Sequence, residues 1–314
     1  ETLHQFEEAD NFGSLIRPAL KDIDYVRRAL EEKNIGNNWI LHETHQKVLC
    51  VLKQAEYLSP QYHVVIANPP YMGGKGMNPR LGVFAKENFP DSKSDLFAVF
   101  IERNLDMAIL KGLVAMVTMQ SWMFLSSFES LRAKIICQYT ILSMAHLGAR
   151  AFDSIGGEVV STTSFVLEKF NRPEYEGNFL RLVDGNSEKE KEFLIRYAIE
   201  NPECEWIYFA TSTSFKEVPG WPFAYWANAN IRKLFLEAPS VSDIAKPRQG
   251  IKTGENDRFL RFWYEVEIEI SRITSSSNRH YKWFACVKGG EYRKWYGNHE
   301  YLLNWENDGK EIKN

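Results

Sequence analysis

An apolar strand that runs directly into two prolines restricts the fold of this chain more than any other feature. Residues 62–67 include three consecutive β-branched side chains, typical of a strand buried on both faces of a parallel sheet. Pro69 and Pro70 end the strand, because each fixes φ and lacks a backbone N–H donor. We therefore expect Asn68 and Tyr71 to project from a stiff loop at the carboxyl end of a strand, where open α/β sheets bind ligands.

The residues of this loop suit the chemistry of an exocyclic amino group. The Asn68 side-chain oxygen and the Pro69 carbonyl oxygen can each accept one N–H, which frees the nitrogen lone pair for attack on a methyl group. Tyr71 can stack on the base that carries the amino group. Positioning supplies most of the rate in such a reaction, so no strong general base is needed. The catalytic candidates are Asn68, Pro69, Pro70 and Tyr71.

The loop and its flanks resemble a known family. An apolar strand followed by Asn68-Pro69-Pro70-Tyr71 resembles motif IV of the amino-group methyltransferases that use S-adenosylmethionine, and the order of later elements resembles the adenine-N6 DNA methyltransferases. Residues 12–16, the glycine-rich run after Tyr71 and residues 289–296 resemble the PglX methyltransferases of BREX phage-defence systems. The resemblance covers nearly the whole chain, but only an internal part of that family.

The resemblance implies a fold and an activity. The fold is an α/β, Rossmann-like S-adenosylmethionine-dependent methyltransferase core, followed by part of a mixed α+β target-recognition domain. We expect the core to be incomplete at its N-terminal side, because the glycine-rich turn that holds the cofactor does not occur in residues 1–67. The activity is site-specific transfer of a methyl group to N6 of a flipped adenine in double-stranded DNA, in phage defence with other BREX proteins as candidate partners.

Two alternatives remain open from the sequence. A methyltransferase that acts on RNA or on a protein glutamine uses the same tetrapeptide. The chain could also be a DNA-binding or partner-binding module, and the missing glycine-rich turn leads us to expect that it is inactive alone.

The composition changes after Arg172-Pro173 and suggests two domains. We predict a catalytic core at 1–170, with a helical insert at 17–60, and the start of the target-recognition domain at 171–314. Within the core, a capped helix through residue 110 and a strand at 112–118 complete a βαβ unit with the first strand. Strands at 140–147 and 159–170 are predicted to form a hairpin.

The resemblance also assigns roles to single residues. Four would contact the cofactor: Asp10, Phe12, Asn68 and Asp95. Phe152 would stack on the flipped adenine opposite Tyr71, and two such stacks offset the cost of base extrusion. A charged helix face explains Asp10 equally well, a helix cap is favoured for Asp95, and Phe152 could instead anchor a core.

Positive charge is placed where DNA could bind. A glycine-rich loop at 72–80 carries Lys75 and Arg80, and we interpret it either as a lid that meets the DNA backbone or as an ordinary flexible loop. In the second part the DNA-binding candidates are Lys246, Arg248, Lys252 and Arg258. The net charge of −3 means that any nucleic-acid surface is a local patch.

The cysteines give no sign of a metal site. The four cysteines are far apart in sequence, without the spacing of metal ligands, and we expect buried thiols in a reducing, cytoplasmic setting. No signal peptide and no apolar run of membrane length is present in these residues, so no membrane partner is expected.

Overall fold

The computed structural model describes residues 1–36, 38–153, 160–246, 250–272 and 281–313. The chain divides into two compact units, Glu1–Ser240 and Val241–Asn314. The predicted functional boundary at residue 170 does not coincide with this division, because two strands after residue 170 join the sheet of the first unit. The assignment of the second part to target recognition stays a prediction.

Six strands of the described residues form the sheet of the first unit. They are β1 (Tyr62–Ala67), β2 (Ala108–Met119), β3 (Thr140–Gly148), β4 (Thr162–Glu168), β5 (Gly177–Arg181) and β6 (Ile207–Ala210). Their order across the sheet is β1-β2-β4-β3-β5-β6.

Four of these strands run in the same direction. β1 is parallel to β2, β4 lies antiparallel between β2 and β3, β5 is parallel to β3, and β6 is antiparallel to β5. The carboxyl ends of β1, β2, β3 and β5 therefore lie on one edge of the sheet, which we call the carboxyl edge. This parallel-rich α/β sheet, with its βαβ unit and its β3–β4 hairpin, confirms the predicted Rossmann-like class.

Helices precede the sheet, connect its strands and follow it. The α-helices of the first unit are α1 (Thr2–Gln5), α2 (Ala9–Phe12), α3 (Ile23–Glu31), α4 (Trp39–Leu58), α5 (Pro79–Asn88), α6 (Leu96–Met107), α7 (Glu129–Gln138), α8 (Glu188–Glu200), α9 (Ser212–Phe215) and α10 (Ala229–Glu237). Helix α6 is the crossover between β1 and β2. It ends earlier than predicted, because the chain is already extended at Ala108, which pairs with Tyr62.

Strand β1 is not buried on both faces, and that expectation was wrong. Val64 is 52% exposed and Ile66 is 77% exposed. β1 is the outermost strand of the described sheet and pairs with β2 alone, while α6 packs against it. The predicted parallel pairing of β1 is nevertheless confirmed.

The main core lies between the sheet and helices α6 and α7. Phe97 and Leu105 of α6, Ile135 of α7, and Phe165 and Phe179 of the sheet are all buried in it. A second cluster joins Leu15, close to the N-terminus, to α5 and to the start of α6. The N-terminal segment is therefore packed against the βαβ unit.

Arg103 of α6 joins this helix to the N-terminal segment and to the end of α4. Its guanidinium is buried and donates to three carbonyl oxygens, those of Ser14 (2.9 Å), Ile16 (2.9 Å) and Leu58 (3.0 Å). A buried carbonyl without a donor is costly, so this side chain holds two segments in place that are distant in sequence.

The second unit is a small mixed α+β fold. Its strands are β7 (Leu260–Phe262), β8 (Ser271–Arg272), β9 (Trp283–Cys286) and β10 (Tyr301–Asn304), in the order β7-β10-β9-β8. Its helices are α11 (Val241–Ile244), α12 (Asn256–Phe259) and α13 (Glu306–Lys313). Phe259, Leu260 and Leu303 form its core. Across both units, no described helix has the length and apolarity to cross a membrane.

Replacing Arg103 tests how much its three hydrogen bonds to backbone carbonyl oxygens stabilise the first unit. We expect Arg103→Met to lower the free energy of unfolding by about 2–4 kcal/mol, because it leaves the buried Ile16 carbonyl oxygen and two partly buried ones without this donor. Arg196→Met is the matched control, since Arg196 is exposed and its ion pair within the described residues is with Glu192 of the same helix, α8. It should change stability by about 0.5 kcal/mol or less. Urea denaturation measures both, and equal losses would contradict this role of Arg103.

Candidate active site at the carboxyl edge

The loop after β1 presents two unpaired hydrogen-bond acceptors. Asn68 is exposed and Pro69 is buried. Among the described residues, neither the Asn68 side chain nor the Pro69 carbonyl oxygen has a hydrogen-bond partner. The two prolines restrict the backbone between them and Tyr71. Both oxygens therefore lack a partner within the described chain and lie on a stiff loop at the carboxyl edge, and their contact with an amino group stays a prediction.

The Tyr71 ring packs against helix α6. Its ring meets the buried Phe97 ring edge to face, with centroids 6.2 Å apart. Its hydroxyl is buried and has no hydrogen-bond partner in the part of the chain that the structure describes, and burial raises the pKa of this phenol. The ring is therefore anchored through its packing, and the hydroxyl adds no contact.

Asp95 joins the loop to the start of α6. Its carboxylate accepts from the backbone N–H of Met72 (3.0 Å) and, as the N-cap of α6, from that of Phe97 (3.3 Å). Burial raises the pKa of this carboxyl, and the backbone donors oppose that shift. The cap favoured by the sequence is present, whereas a direct contact of Asp95 with a cofactor stays a prediction.

The start of the glycine-rich loop is hydrogen-bonded to the same helix terminus. Gly74 N–H donates to the Ser94 carbonyl (3.1 Å), and Leu96 N–H donates to the Met72 carbonyl (3.0 Å). Gly76 N–H closes a turn onto the Gly73 carbonyl (2.8 Å). This part of the loop is held in the described structure, so closure of a lid stays a prediction.

The two basic residues of this loop differ in their surroundings. Lys75 is exposed. Arg80 forms an ion pair with Glu8, and nearby Asn78 donates to Asn11 (2.8 Å). Part of the Arg80 charge is therefore compensated within the chain, and DNA contact by either residue stays a prediction.

The predicted cofactor residues near the N-terminus border open space. Phe12 stacks on Phe84 with centroids 4.1 Å apart. Asp10 lines a cavity of ≈ 330 Å³ together with Gly13, Ser14 and Tyr57. Phe12 lines a different cavity, with Val83 and Phe84. A carboxylate beside a cavity can accept hydrogen bonds from a ligand, so Asp10 remains a candidate, and a contact of Phe12 with the same ligand stays a prediction.

Phe152 follows β3, whose end also lies on the carboxyl edge, and it is partly buried. The next residue, Asp153, exchanges hydrogen bonds with Glu188 at the start of α8 (3.4 and 3.2 Å). The ring contact of Tyr71 in the described chain is with Phe97 and not with Phe152. A sandwich of a base between Tyr71 and Phe152 stays a prediction.

The basic candidates of the second part belong to the second unit. Lys246 and Lys252 are exposed. Arg258 lies near two carboxylates, those of Glu255 (3.7 Å) and Glu311 (3.5 Å). Arg248 lies outside the described residues. DNA binding by these four residues stays a prediction.

Sequence reasoning missed a buried polar chain at the carboxyl edge. His146 of β3 contacts the Gln120 side-chain oxygen through Nε2 (2.7 Å) and the Tyr225 hydroxyl through Nδ1 (2.9 Å). Burial, with smaller contributions from Arg181 and Lys191, lowers the pKa of His146 to about 4. The imidazole is therefore neutral near pH 7. A single histidine in an alternating strand gave no signal of this contact.

The described residues contain no group of three or more side chains that could hold a metal ion. The cysteines are free thiols, but Cys50 and Cys137 are exposed. The expectation that all four are buried was wrong, because these two lie on the outer surfaces of α4 and α7.

The pH dependence of stability tests the state of His146. The folded pKa lies below the ordinary value of 6.5, so the unfolded chain binds the proton more tightly, and stability is lost as the pH falls from about 6.5 to 4. We expect His146→Gln to remove about 2–3 kcal/mol of that loss. Urea denaturation at several pH values measures it. His63→Gln, at an exposed position of β1, should keep the wild-type dependence, and an unchanged dependence in His146→Gln would refute the assignment.

Comparison with known proteins identifies the family. Residues 9–152 match the family described as Eco57I restriction-modification methylase. The chain is 42% identical to "Adenine-specific methyltransferase BrxX" of Escherichia coli O9:H4 (strain HS), over 99% of this chain and 25% of that protein. It is 38% identical to "Adenine-specific methyltransferase PglX" of Lacticaseibacillus casei (strain Zhang), over 100% of this chain and 27% of that protein.

A solved structure shows a weaker likeness. A nuclease-deletion mutant of the Type ISP restriction-modification enzyme LlaGI, in complex with a DNA substrate mimic, is 17% identical with a TM-score of 0.41, over 59% of this chain and 20% of that chain. A likeness of this size does not establish a shared fold, so the identification depends on the sequence relatives. The chain spans about a quarter of the length of the curated relatives that it matches, and it belongs to the PglX family of adenine-specific methyltransferases.

Proposed function

We propose that this chain forms the part of an active site that receives the target base in an adenine-N6 DNA methyltransferase. The observation that carries the proposal is the pair of unpaired acceptors, the Asn68 side-chain oxygen and the Pro69 carbonyl oxygen, on a stiff loop at the carboxyl edge. The names of the relatives, adenine-specific methyltransferases, support the choice of substrate.

The two oxygens act on the amino nitrogen directly. An exocyclic amino group is a poor nucleophile because its lone pair is delocalised into the ring. When Asn68 and Pro69 each accept one N6 hydrogen, the nitrogen moves towards tetrahedral geometry and its lone pair becomes available. The same oxygens stabilise the positive charge that grows on nitrogen during transfer. The proton that nitrogen then loses is already hydrogen-bonded and can pass on to water.

Tyr71 supports the base by stacking. Its ring is fixed edge to face on Phe97, so little side-chain freedom is lost when a base packs on it. Stacking on an aromatic ring contributes ~1–3 kcal/mol per base, comparable to the few kcal/mol that extrusion of a base from the duplex costs. Phe152 is the candidate for the second face of the base.

The cofactor proposed is S-adenosylmethionine, which supplies a methyl group on a positively charged sulfur when bound. The residues of the chain fit it in part. Asp10 borders a cavity and can accept hydrogen bonds, and Phe12 is an aromatic side chain that stacks on Phe84. Asn68 and Asp95, at the loop after β1 and at the start of α6, are the other candidates. The glycine-rich turn of such sites does not occur in residues 1–67.

The partner proposed is double-stranded DNA, with the exposed Lys75, Lys246 and Lys252 as candidate phosphate contacts. From the resemblance to PglX, the biological role proposed is modification of host DNA in BREX phage defence, alongside other BREX proteins.

Replacing Asn68 tests the proposed reaction. In a polypeptide that carries this sequence and extends to the full length of the relatives, Asn68→Ala should lower kcat for methyl transfer to adenine by roughly 10²–10³-fold, because one of two preorganised acceptors is lost. Transfer of radiolabelled methyl groups to DNA measures this.

Asn186→Ala provides the control, since Asn186 is exposed and its side chain has no hydrogen bond among the described residues. This variant should keep the wild-type rate. Normal adenine methylation by Asn68→Ala, or a wild-type enzyme that methylates no adenine, would overturn the proposed function.

Two substitutions of Tyr71 separate stacking from hydrogen bonding. Tyr71→Phe removes a buried hydroxyl that has no hydrogen-bond partner among the described residues, so it should keep the methylation rate within about threefold and leave stability equal or higher. Tyr71→Ala removes the ring and should raise KM for DNA by roughly 5- to 150-fold. Steady-state kinetics with thermal unfolding checks both, and an equal loss in the two variants would contradict the stacking role.

A further inference from the structure

Gln120 presents an amide nitrogen that no other group of the described chain uses. It follows Met119, the last residue of β2, and is partly buried at the carboxyl edge. Its side-chain oxygen is held by His146 (2.7 Å). In the described structure, the amide nitrogen of the same side chain has no hydrogen-bond partner and is not among the buried unpaired atoms. The side chain is thus oriented at one end and open at the other.

The buried hydroxyl of Tyr225 sets the direction of the hydrogen bonds. Tyr225 is 4% exposed, and its hydroxyl contacts His146 Nδ1 at 2.9 Å. A buried hydroxyl has to donate its proton, and among the described residues Nδ1 is the acceptor within reach. Nδ1 therefore carries no proton, Nε2 does, and Nε2–H donates to the Gln120 oxygen. This order leaves the NH₂ group of Gln120 as a free donor.

Aromatic packing fixes the imidazole and the phenol. The His146 ring packs against those of Phe124 (5.8 Å) and Trp226 (6.2 Å), which also contact each other (5.7 Å). The Tyr225 ring is stacked on the buried Phe179, with centroids 4.8 Å apart. Neither ring can turn without disturbing its neighbours, so the packing keeps the Tyr225–His146–Gln120 hydrogen bonds in one arrangement.

The backbone that carries Gln120 is also held. The turn after it is bound by Arg132, whose guanidinium donates to the carbonyl oxygens of Trp122 (2.9 Å) and Leu125 (2.6 Å). The same side chain donates to Gly220 (2.8 Å), close to the segment that bears Tyr225. Both ends of the polar chain are therefore fastened to one buried arginine.

The polar chain ends where a ligand would be needed. Burying an imidazole and a phenol costs free energy unless each is hydrogen-bonded. The donors of this network end on the Gln120 oxygen, and the same amide group carries a second polar end, an NH₂ donor that no described group uses. That donor stands at the end of β2, the strand beside β1, and so on the same edge as Asn68.

We propose that the Gln120 amide nitrogen donates a hydrogen bond to a ring nitrogen of the target adenine, and that this contact selects adenine. The inference rests on the proposed function. Asn68 and Pro69 would use the two N6 hydrogens, and both ring nitrogens that flank N6, N1 and N7, are acceptors that need a donor. A guanine or thymine places an oxygen where Asn68 requires a donor. A cytosine carries an amino group and one ring acceptor, N3, in the place of adenine N1, but it has no acceptor in the place of N7, so a contact to N7 also rejects cytosine.

His146 and Tyr225 are positioning residues in this scheme. They do not touch the base, and they act by holding the Gln120 oxygen so that its nitrogen stays a donor. Without the Tyr225 hydroxyl, His146 can carry its proton on Nδ1, and the Gln120 amide can turn over to donate to Nε2.

A double-mutant cycle between enzyme and base tests the contact. The full-length enzyme and its Gln120→Glu and Gln120→Met variants would act on duplexes with adenine, 1-deazaadenine or 7-deazaadenine at the target position. Glu keeps the acceptor for His146 and removes the donor, and Met controls for the added charge. We expect one analogue to lower the wild-type kcat/KM by roughly 5- to 50-fold, and each variant to show a similar loss with adenine.

The decisive measurement combines each deazaadenine duplex with each Gln120 variant. If the contact exists, the analogue that harms the wild-type enzyme causes no further loss in either Gln120 variant, because the bond is already absent. Losses that multiply for both analogues, or Gln120 variants with wild-type kinetics on adenine, would overturn the inference. A wild-type enzyme that methylates no adenine would instead refute the proposed function itself.

Tyr225→Phe tests the positioning role. It keeps the ring that packs on Phe179 and removes the hydroxyl. One of the two deazaadenines is expected to lower the kcat/KM of the wild-type enzyme relative to adenine. In Tyr225→Phe we expect that loss to be at least threefold smaller, since the Gln120 amide can turn over. A loss of activity with unchanged discrimination between adenine and the analogue would show a structural role only and would contradict the positioning role.

Discussion

The parallel ladder between β1 and β2 is the interaction on which the candidate site depends. Ala67 lies opposite Met116, so the two strands end on the same edge, and the loops that bear Asn68 and Gln120 leave the sheet from neighbouring strands. Parallel strands require a crossover, and here α6 supplies it. The first turn of that helix returns to the loop, where Asp95 holds the Met72 backbone. The same βαβ unit thus contains the loop that carries Asn68 and Pro69 and also supports it.

The parts of the fold that sequence predicted are those with local signals. Two prolines after an apolar strand determine the Asn68 loop, an aspartate before an apolar helix predicts the Asp95 cap, and two apolar runs with a turn between them predict the β3–β4 hairpin. All three are present. The family followed from the same local stretches, and the relatives confirm it. The loop and the cap are decided by neighbours within a few residues along the chain, and the hairpin joins two strands that follow each other in sequence.

The features that sequence could not predict depend on distant partners. His146 is hydrogen-bonded to Tyr225, which lies 79 residues further along the chain. Arg80 forms an ion pair with Glu8, which lies far before it in the sequence. Neither partner can be chosen from composition or spacing. The exposure of β1 was also hidden, because Val64 and Ile66 look alike in a central strand and in an outer one. Only the order of strands in the sheet tells the two apart, and that order is a property of the whole fold.

The position of β1 has a consequence for handling the protein. An outer strand presents a row of unpaired backbone N–H and C=O groups, and apolar side chains on it invite a strand from another molecule. Val64 and Ile66 provide such side chains, and no charged residue separates them. At high concentration the 314-residue chain should therefore associate through β1. Ile66→Lys would place a charge on this strand and so oppose aggregation. The strand that leads into the Asn68 loop would then also decide how soluble the chain is.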